Sequence, residues 1–419
     1  MRSGLRLLVA GTLGSLLLAS TASGGGSTVS RHVARATAGP PVTQFDVGET
    51  SINSPTKIAA GSDGNIWFVD DNNNGYGKIT TAGTVTEWTW DNASDGVNRG
   101  LSQIAVDAGG NAWFGLCPGS LYVPSIAKVT PAGVFTAYTP NTYGHFFAVG
   151  CPRGITAGSD GNMWFTDSNY VGKITSSGQI TEYDVLPSYD VLGHIVVGPD
   201  GDLWATDTEH DLVAQISTAG ALVKLYQLPS DRGVSGIVVG PDHNLWLTEP
   251  SADMIGRLTT AGVLTEFPTG ANFAQGDDGV IAGPDGNLWF TECASGDVAK
   301  ITTAGVVSQH LVNTGQFQCP NGIAAGSDGN IWFADEGAGQ IDRVSPNWVP
   351  PQCVVPTVVG RKVAAAKAVL RAAKCSVGRV KSVFSKKARG KVVSQSPKPG
   401  ATLAQNAKIN LVVSKGKKK

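Results

Sequence analysis

Residues 351–419 contain no Asp or Glu, and charged residues of either sign make up only 16% of the 419-residue chain. So little charge beside 41% apolar residues excludes a disordered chain and a coiled coil. No uninterrupted apolar run reaches 18 residues, which excludes a membrane-spanning helix in the mature chain. No C-x-x-C pair occurs, which argues against a zinc site. A nucleophile elbow, a P-loop and an H-E-x-x-H helix are all missing, and with them the common marks of α/β hydrolases, nucleotide-binding proteins and zinc proteases.

Glycine, by contrast, is abundant at 54 residues. It has no every-third-residue period, so collagen is excluded and many tight turns between short strands are implied. The near-neutral net charge of −1 conceals an asymmetry. Residues 351–419 carry 17 Lys and Arg, whereas residues 39–350 hold 11 bases against 33 acids. That contrast suggests two domains with different partners. Arg2 and Arg6, an apolar stretch from Leu7 to Ala19 and small residues up to Ser23 have the layout of a secretory signal peptide over 1–23. Residues 24–40 read as a flexible linker rich in Gly, Ser and Thr.

One phrase recurs seven times, as in G-P-D-G-N-L-W-F at 283–290. It places Trp67, Trp113, Trp164, Trp204, Trp246, Trp289 and Trp332 at spacings of 40 to 51 residues. Asp-Gly is a hairpin signal, and each unit reads as four short antiparallel strands, the pattern of a propeller blade. The expected fold is all-β: a seven-bladed β-propeller over 41–349, with a small α+β domain over 353–416 and a basic end at 417–419. The Trp register is read as core packing between blades. The acid three residues later (Asp70, Asp167, Asp207, Glu249, Glu292, Asp335) is read as mainly architectural. The seventh unit lacks its fourth strand, and an orphan strand, 42–45, precedes the first. The N-terminal strand is therefore expected to close the ring and remove its open edges.

Six cysteines in an exported chain imply disulfides. Cys117 and Cys293 each follow a repeat Trp by four residues, and Cys151 and Cys319 each open a Cys-Pro-x-Gly-Ile segment. One register thus pairs twice with the same other register, giving Cys117–Cys151 and Cys293–Cys319 and leaving Cys353–Cys375 in the tail.

The tail combines an Ala-rich helix over 364–373 with strand-like segments at 377–383, 391–395 and 409–414. With V-P-T-V-V-G at 355–360 and V-x-S-Q-S-P-x-P-G at 392–400, it resembles a PASTA domain, the module appended to penicillin-binding proteins and membrane-bound serine/threonine kinases. The resemblance implies recognition of peptidoglycan in a bacterial wall. The charge of the tail separately favours anionic wall polymers, held in a salt-sensitive way. Its one aromatic, Phe384, gives no stacking platform for nucleic acid.

The propeller phrase followed by I-G-R-L-T-T-A-G-V-L-T-E-F at 255–267 resembles the virginiamycin B lyase (streptogramin lyase) family over about 42–346. The resemblance implies a seven-bladed propeller. In active members it implies ring opening of streptogramin B by elimination, with a histidine base and a magnesium ion held by glutamates. The family histidine lies in P-H-G-I, where this chain has Pro320-Asn321-Gly322-Ile323. The metal-binding glutamate two residues earlier is Cys319 here, and a second, substrate-contacting histidine is Asp278. Only the glutamate four residues after the last repeat Trp has a counterpart, Glu336.

That register, read around the blades, holds Thr56, Ser102, Arg153, Gly193, Ser235, Asp278 and Asn321, a ring polar enough for a small polar ligand. Ligand candidates are Arg153, His194, Ser235, Asp278 and Asn321, and Glu336 is the one metal-type candidate. The expectation is a secreted, wall-associated bacterial protein, monomeric, with the propeller as a ligand or protein platform and no cofactor. The alternative is a streptogramin-type lyase, which would need magnesium.

Overall fold

The computed structural model describes residues 20–21, 28–33, 36–39, 42–47, 54–70, 75–89, 100–117, 125–138, 152–186, 191–207, 209–269, 279–310, 319–347, 353–403 and 407–418. Two compact units divide at Pro346.

The first unit holds seven antiparallel sheets, each built on one repeat. The fifth is representative: Ile237–Val239, Leu245–Glu249, Met254–Leu258 and Leu264–Pro268 pair in order. The innermost strands touch their neighbours in sequence, and Pro320–Ala325 of the last sheet touches Lys57–Ala60 of the first, so the ring is closed. Closure uses the N-terminal strand. Val42–Asp46 pairs with Gln340–Val344 as the fourth strand of blade seven, with Phe45 opposite Ile341.

The repeated Trp residues are all buried at the blade interfaces. Six of the seven indole N–H groups donate to the turn aspartate of the same repeat, as in Trp246 Nε1 to Asp242 Oδ1 at 2.9 Å. A fourth-strand aromatic stacks on one side of the Trp, as Tyr226 does on Trp204, and a cation from strand three covers several of them, as Lys300 does Trp289. The Ala-Gly turns belong to the same packing. Gly220 has φ +83°, and a Cβ there would come within 2.0 Å of the Tyr183 ring of the preceding blade. Only glycine fits both the left-handed backbone and the contact.

Two stretches ahead of the ring-closing strand also pair with the propeller. Thr28–Val33 pairs along the outer edge of blade one, Val29 opposite Trp88, and Ala36–Gly39 pairs with Val42–Asp46. Ladder hydrogen bonds to exposed sheet edges hold extended backbone that composition alone reads as unstructured.

In the second unit, helix Val363–Ala372 presses Ala366 and Leu370 into a core with Cys353, Val355, Val358, Cys375, Val392, Ile409 and Leu411. Ser376–Val383 runs parallel to Lys408–Ser414, which pairs antiparallel with Val392–Ser396. The Cys353–Cys375 disulfide ties the first strand to the segment after the helix. Among the described residues no helix is long and apolar enough to cross a membrane.

Candidate functional site

The propeller axis is lined by the first strand of each blade. Ile58, Ile104, Ile155, Ile195, Ile237, Val280 and Ile323 occupy one register and are all buried. The residue before each is Lys57, Gln103, Gly154, His194, Gly236, Gly279 or Gly322. Four blades thus have glycine where three carry a polar side chain. Glycine is forced at 322, where a Cβ would lie 2.7 Å from the Ile58 nitrogen of the adjoining blade. Lys57, Gln103 and His194, with Gly236, Gly279, Gly322 and the apolar residues beside them, enclose a cavity of about 130 Å³.

The polar groups are linked across blades. Lys57 Nζ donates to Asn321 Oδ1 over 3.0 Å, and Asn321 Nδ2 donates to Glu336 Oε2 over 3.5 Å. Ser54 Oγ donates to the Glu336 carbonyl at 3.2 Å. Gln103 Nε2 lies 2.7 Å from Nδ1 and 2.9 Å from Nε2 of His194, spanning blade three where Gly154 leaves room.

Other candidates from the sequence are placed differently. Ser235 and Thr56 are buried, one residue ahead of the lining register. The Ser235 carbonyl accepts from Thr206 Oγ1 at 2.8 Å, and Thr56 Oγ1 donates to the Val69 carbonyl. Arg153 is exposed, and its charge acts on Asp167. Asp278 lies outside the described residues. Lys57 and Gln103 were not singled out from the sequence. Strand alternation could have revealed them, because a residue preceding the buried Ile or Val faces the other way.

Cys293 and Cys319 form the expected disulfide. Cys117 is disulfide-bonded, and its expected partner Cys151 lies outside the described residues.

The acids three residues after six of the seven repeat Trp residues are buried, and in several blades a second acid stands beside the first. Burial, eased by Ser168 and Arg153, raises Asp167 to about 6. Burial and the Asp167 charge raise Glu182 to about 7. Burial raises Glu292 to about 7 against the Ser295 hydrogen bond, with Asp297 adding to the rise. Glu249 is shifted upward by burial and by Glu266, against the pull of Arg232. Asp342 is raised by burial and by Asp335.

A magnesium ion at the mouth would need convergent oxygen ligands. Cys319 is tied to Cys293, and Glu336 faces the Asn321 amide. Lys57 brings an ammonium to the same asparagine, and among the described residues no three His, Cys, Asp or Glu side chains converge. These residues do not fit a divalent cation.

The tail has a basic cleft of about 500 Å³, lined by Arg379, Lys381, Lys408, Asn410, Leu411 and Val412. Asn410 Oδ1 accepts from the Arg379 backbone N–H at 2.7 Å. The Phe384 ring is exposed, with Lys415 Nζ 5.6 Å from its centroid.

The virginiamycin B lyase family profile matches residues 26–190 and 148–367, and the PASTA domain profile matches 354–415. Among solved structures the chain is similar to a streptogramin B lyase, at 27% identity and TM-score 0.63, over 73% of this chain and 97% of the other. It is similarly close to a catalytically inactive virginiamycin B lyase from Staphylococcus aureus with quinupristin, at 26% identity and TM-score 0.62, over 73% and 98%. YCF48 bound to D1 peptide shares the fold at 14% identity and TM-score 0.54, over 76% of this chain and 100% of that one. No curated protein matches.

Proposed function

The chain belongs to the virginiamycin B lyase family and ends in a PASTA domain, and on that premise we propose that it is a secreted binding protein of the bacterial wall. The PASTA domain retains it on peptidoglycan or anionic wall polymers, and the propeller mouth is its ligand platform. Disulfides in both units suit an oxidising, extracellular setting.

The observation that carries this reading is Asn321, hydrogen-bonded between Lys57 and Glu336 at the position where the family has a histidine. A carboxamide cannot take an α-proton near neutral pH. The neighbouring ammonium gives the site fixed positive charge, suited to holding a ligand.

Lyase activity is the second reading, and His194 at the cavity wall favours it, since an imidazole there could serve as base. Chromatography of quinupristin incubated with the protein and magnesium separates the two. Quinupristin should be recovered intact. Ring-opened product that disappears in His194→Gln would overturn the binding reading of the propeller.

A further inference from the structure

We propose that the axial cavity binds a small organic carboxylate, its anionic head on the Lys57 ammonium and its apolar part against Ile237, Val280 and Ile323. This inference deepens the reading of the propeller mouth as a ligand platform and rests on it.

Four observations support it. The first is where the repeat breaks. The register before the buried Ile or Val is glycine in blades three, five, six and seven, but Lys57, Gln103 and His194 in blades one, two and four. Ring packing explains three of the four glycines, because a Cβ would run into the next blade's backbone at 154 and 322 and into the Ile323 side chain at 279. It does not call for a lysine and a histidine.

Charge is the second. Among the described residues the lining contains Lys57 and His194 and no acid. Residues 39–350 carry three acids for every base, so a cationic lining at their centre is not what composition would place there by chance. Lys57 Nζ donates to Asn321 Oδ1 over 3.0 Å, and Asn321 Nδ2 in turn donates to Glu336 Oε2 over 3.5 Å.

The third is the division of the wall. Polar groups stand on blades one, two and four. Opposite them, Gly236, Gly279 and Gly322 have no side chains, and Ile237, Val280 and Ile323 supply an apolar surface. A tetrahedral oxyanion would need donors on several sides, whereas this wall suits a planar anion with a short hydrocarbon part.

Size is the fourth. About 130 Å³ is room for on the order of four water molecules, or for a short-chain acid of that bulk. The carboxylate could belong to a free short-chain acid or to the C-terminus of a small-residue peptide, and the two can be distinguished.

The test is a titration of the intact protein, with side-chain NMR signals of His194 and Lys57 as readout. The probes are butyrate, its uncharged analogue butyramide, and N-acetyl-dialanine. Butyrate should shift both signals saturably and butyramide should not. Lys57→Met should weaken butyrate roughly tenfold, the loss expected for one charge-assisted hydrogen bond. Tighter binding of N-acetyl-dialanine than of butyrate would identify the peptide C-terminus as the source, and the reverse order a free acid.

Equal responses to butyrate and butyramide would overturn the proposal, as would no response at all or unchanged affinity in a Lys57→Met protein that melts normally. The amide control needs no mutation, so a misfolded variant cannot mask the answer. Failure here leaves intact quinupristin, and with it the broader binding reading, untouched.

Discussion

The Phe45 ring stacks on Trp332, their centroids 5.2 Å apart and their planes 15° from parallel, so the N-terminal strand supplies blade seven with the aromatic that other blades take from their own fourth strand. Arg343 lies over both rings. Phe45 is 2% exposed. Phe45→Ala should therefore cost about 3–5 kcal/mol, as expected for a truncated buried aromatic. Urea unfolding would show it as a lower midpoint, and an unchanged midpoint would mean that the ring is closed by other contacts.

The Cys293–Cys319 bridge closes a loop of 26 residues. Replacing both cysteines with serine should destabilise the propeller by about 3 kcal/mol, since the unfolded chain is released from that constraint. Denaturant melts of the double variant, beside wild type under reducing and non-reducing conditions, check this. Reduction should lower wild-type stability further than that of the variant, because only wild type has the Cys293–Cys319 bridge to lose, whereas the Cys353–Cys375 bridge is lost from both.

Stability should fall as pH rises through neutrality. Asp167, Glu182 and Glu292 titrate near 6 to 7 in the folded chain, whereas unfolded carboxyls titrate near 4. Between those values the native state keeps protons that the unfolded state has shed, so their contribution is complete below about pH 4 and lost as pH rises toward 7. The turn aspartates act oppositely. In Asp242 and Asp285 burial raises the pKa, but hydrogen bonds from Trp and Asn outweigh it and leave both lowered. Their contribution is present above about pH 4 and lost below it. Melting temperature should accordingly peak between about pH 4 and 6 and decline toward pH 8. Glu292→Gln should flatten the decline; a melting temperature that climbs from pH 5 to 8 would contradict the assignment.

Much of the fold was readable because the repeat exposes its physics seven times. Trp at one register, Asp-Gly turns and the orphan strand at 42–45 specify blades and their closure. The Ala-Gly turns were legible as turns, but not as sockets for the preceding blade's aromatic, as at Gly220 and Tyr183, because that contact joins residues of different repeats. The site was less legible for a related reason. Asn321 stood out by family resemblance. Lys57 and Gln103 did not, since what matters at Lys57 is its approach to Asn321 from the opposite end of the propeller chain.

Asn321→His alone should leave streptogramin B intact. The Lys57 ammonium would still adjoin position 321 and lower the basicity of an imidazole placed there, and Cys319 would remain in its disulfide. Chromatography of quinupristin with the variant and magnesium checks this, and ring opening would show that one residue is all that separates this propeller from a lyase.

The most direct test of the wall-bound reading is sedimentation with purified peptidoglycan sacculi, comparing the full chain with a version ending at Pro346, at low and high salt. The full chain should pellet and the shortened one remain in solution. High salt should weaken binding, because 17 bases without an acid act through screened charge. Equal pelleting of both forms, or neither form pelleting at low salt, would contradict it.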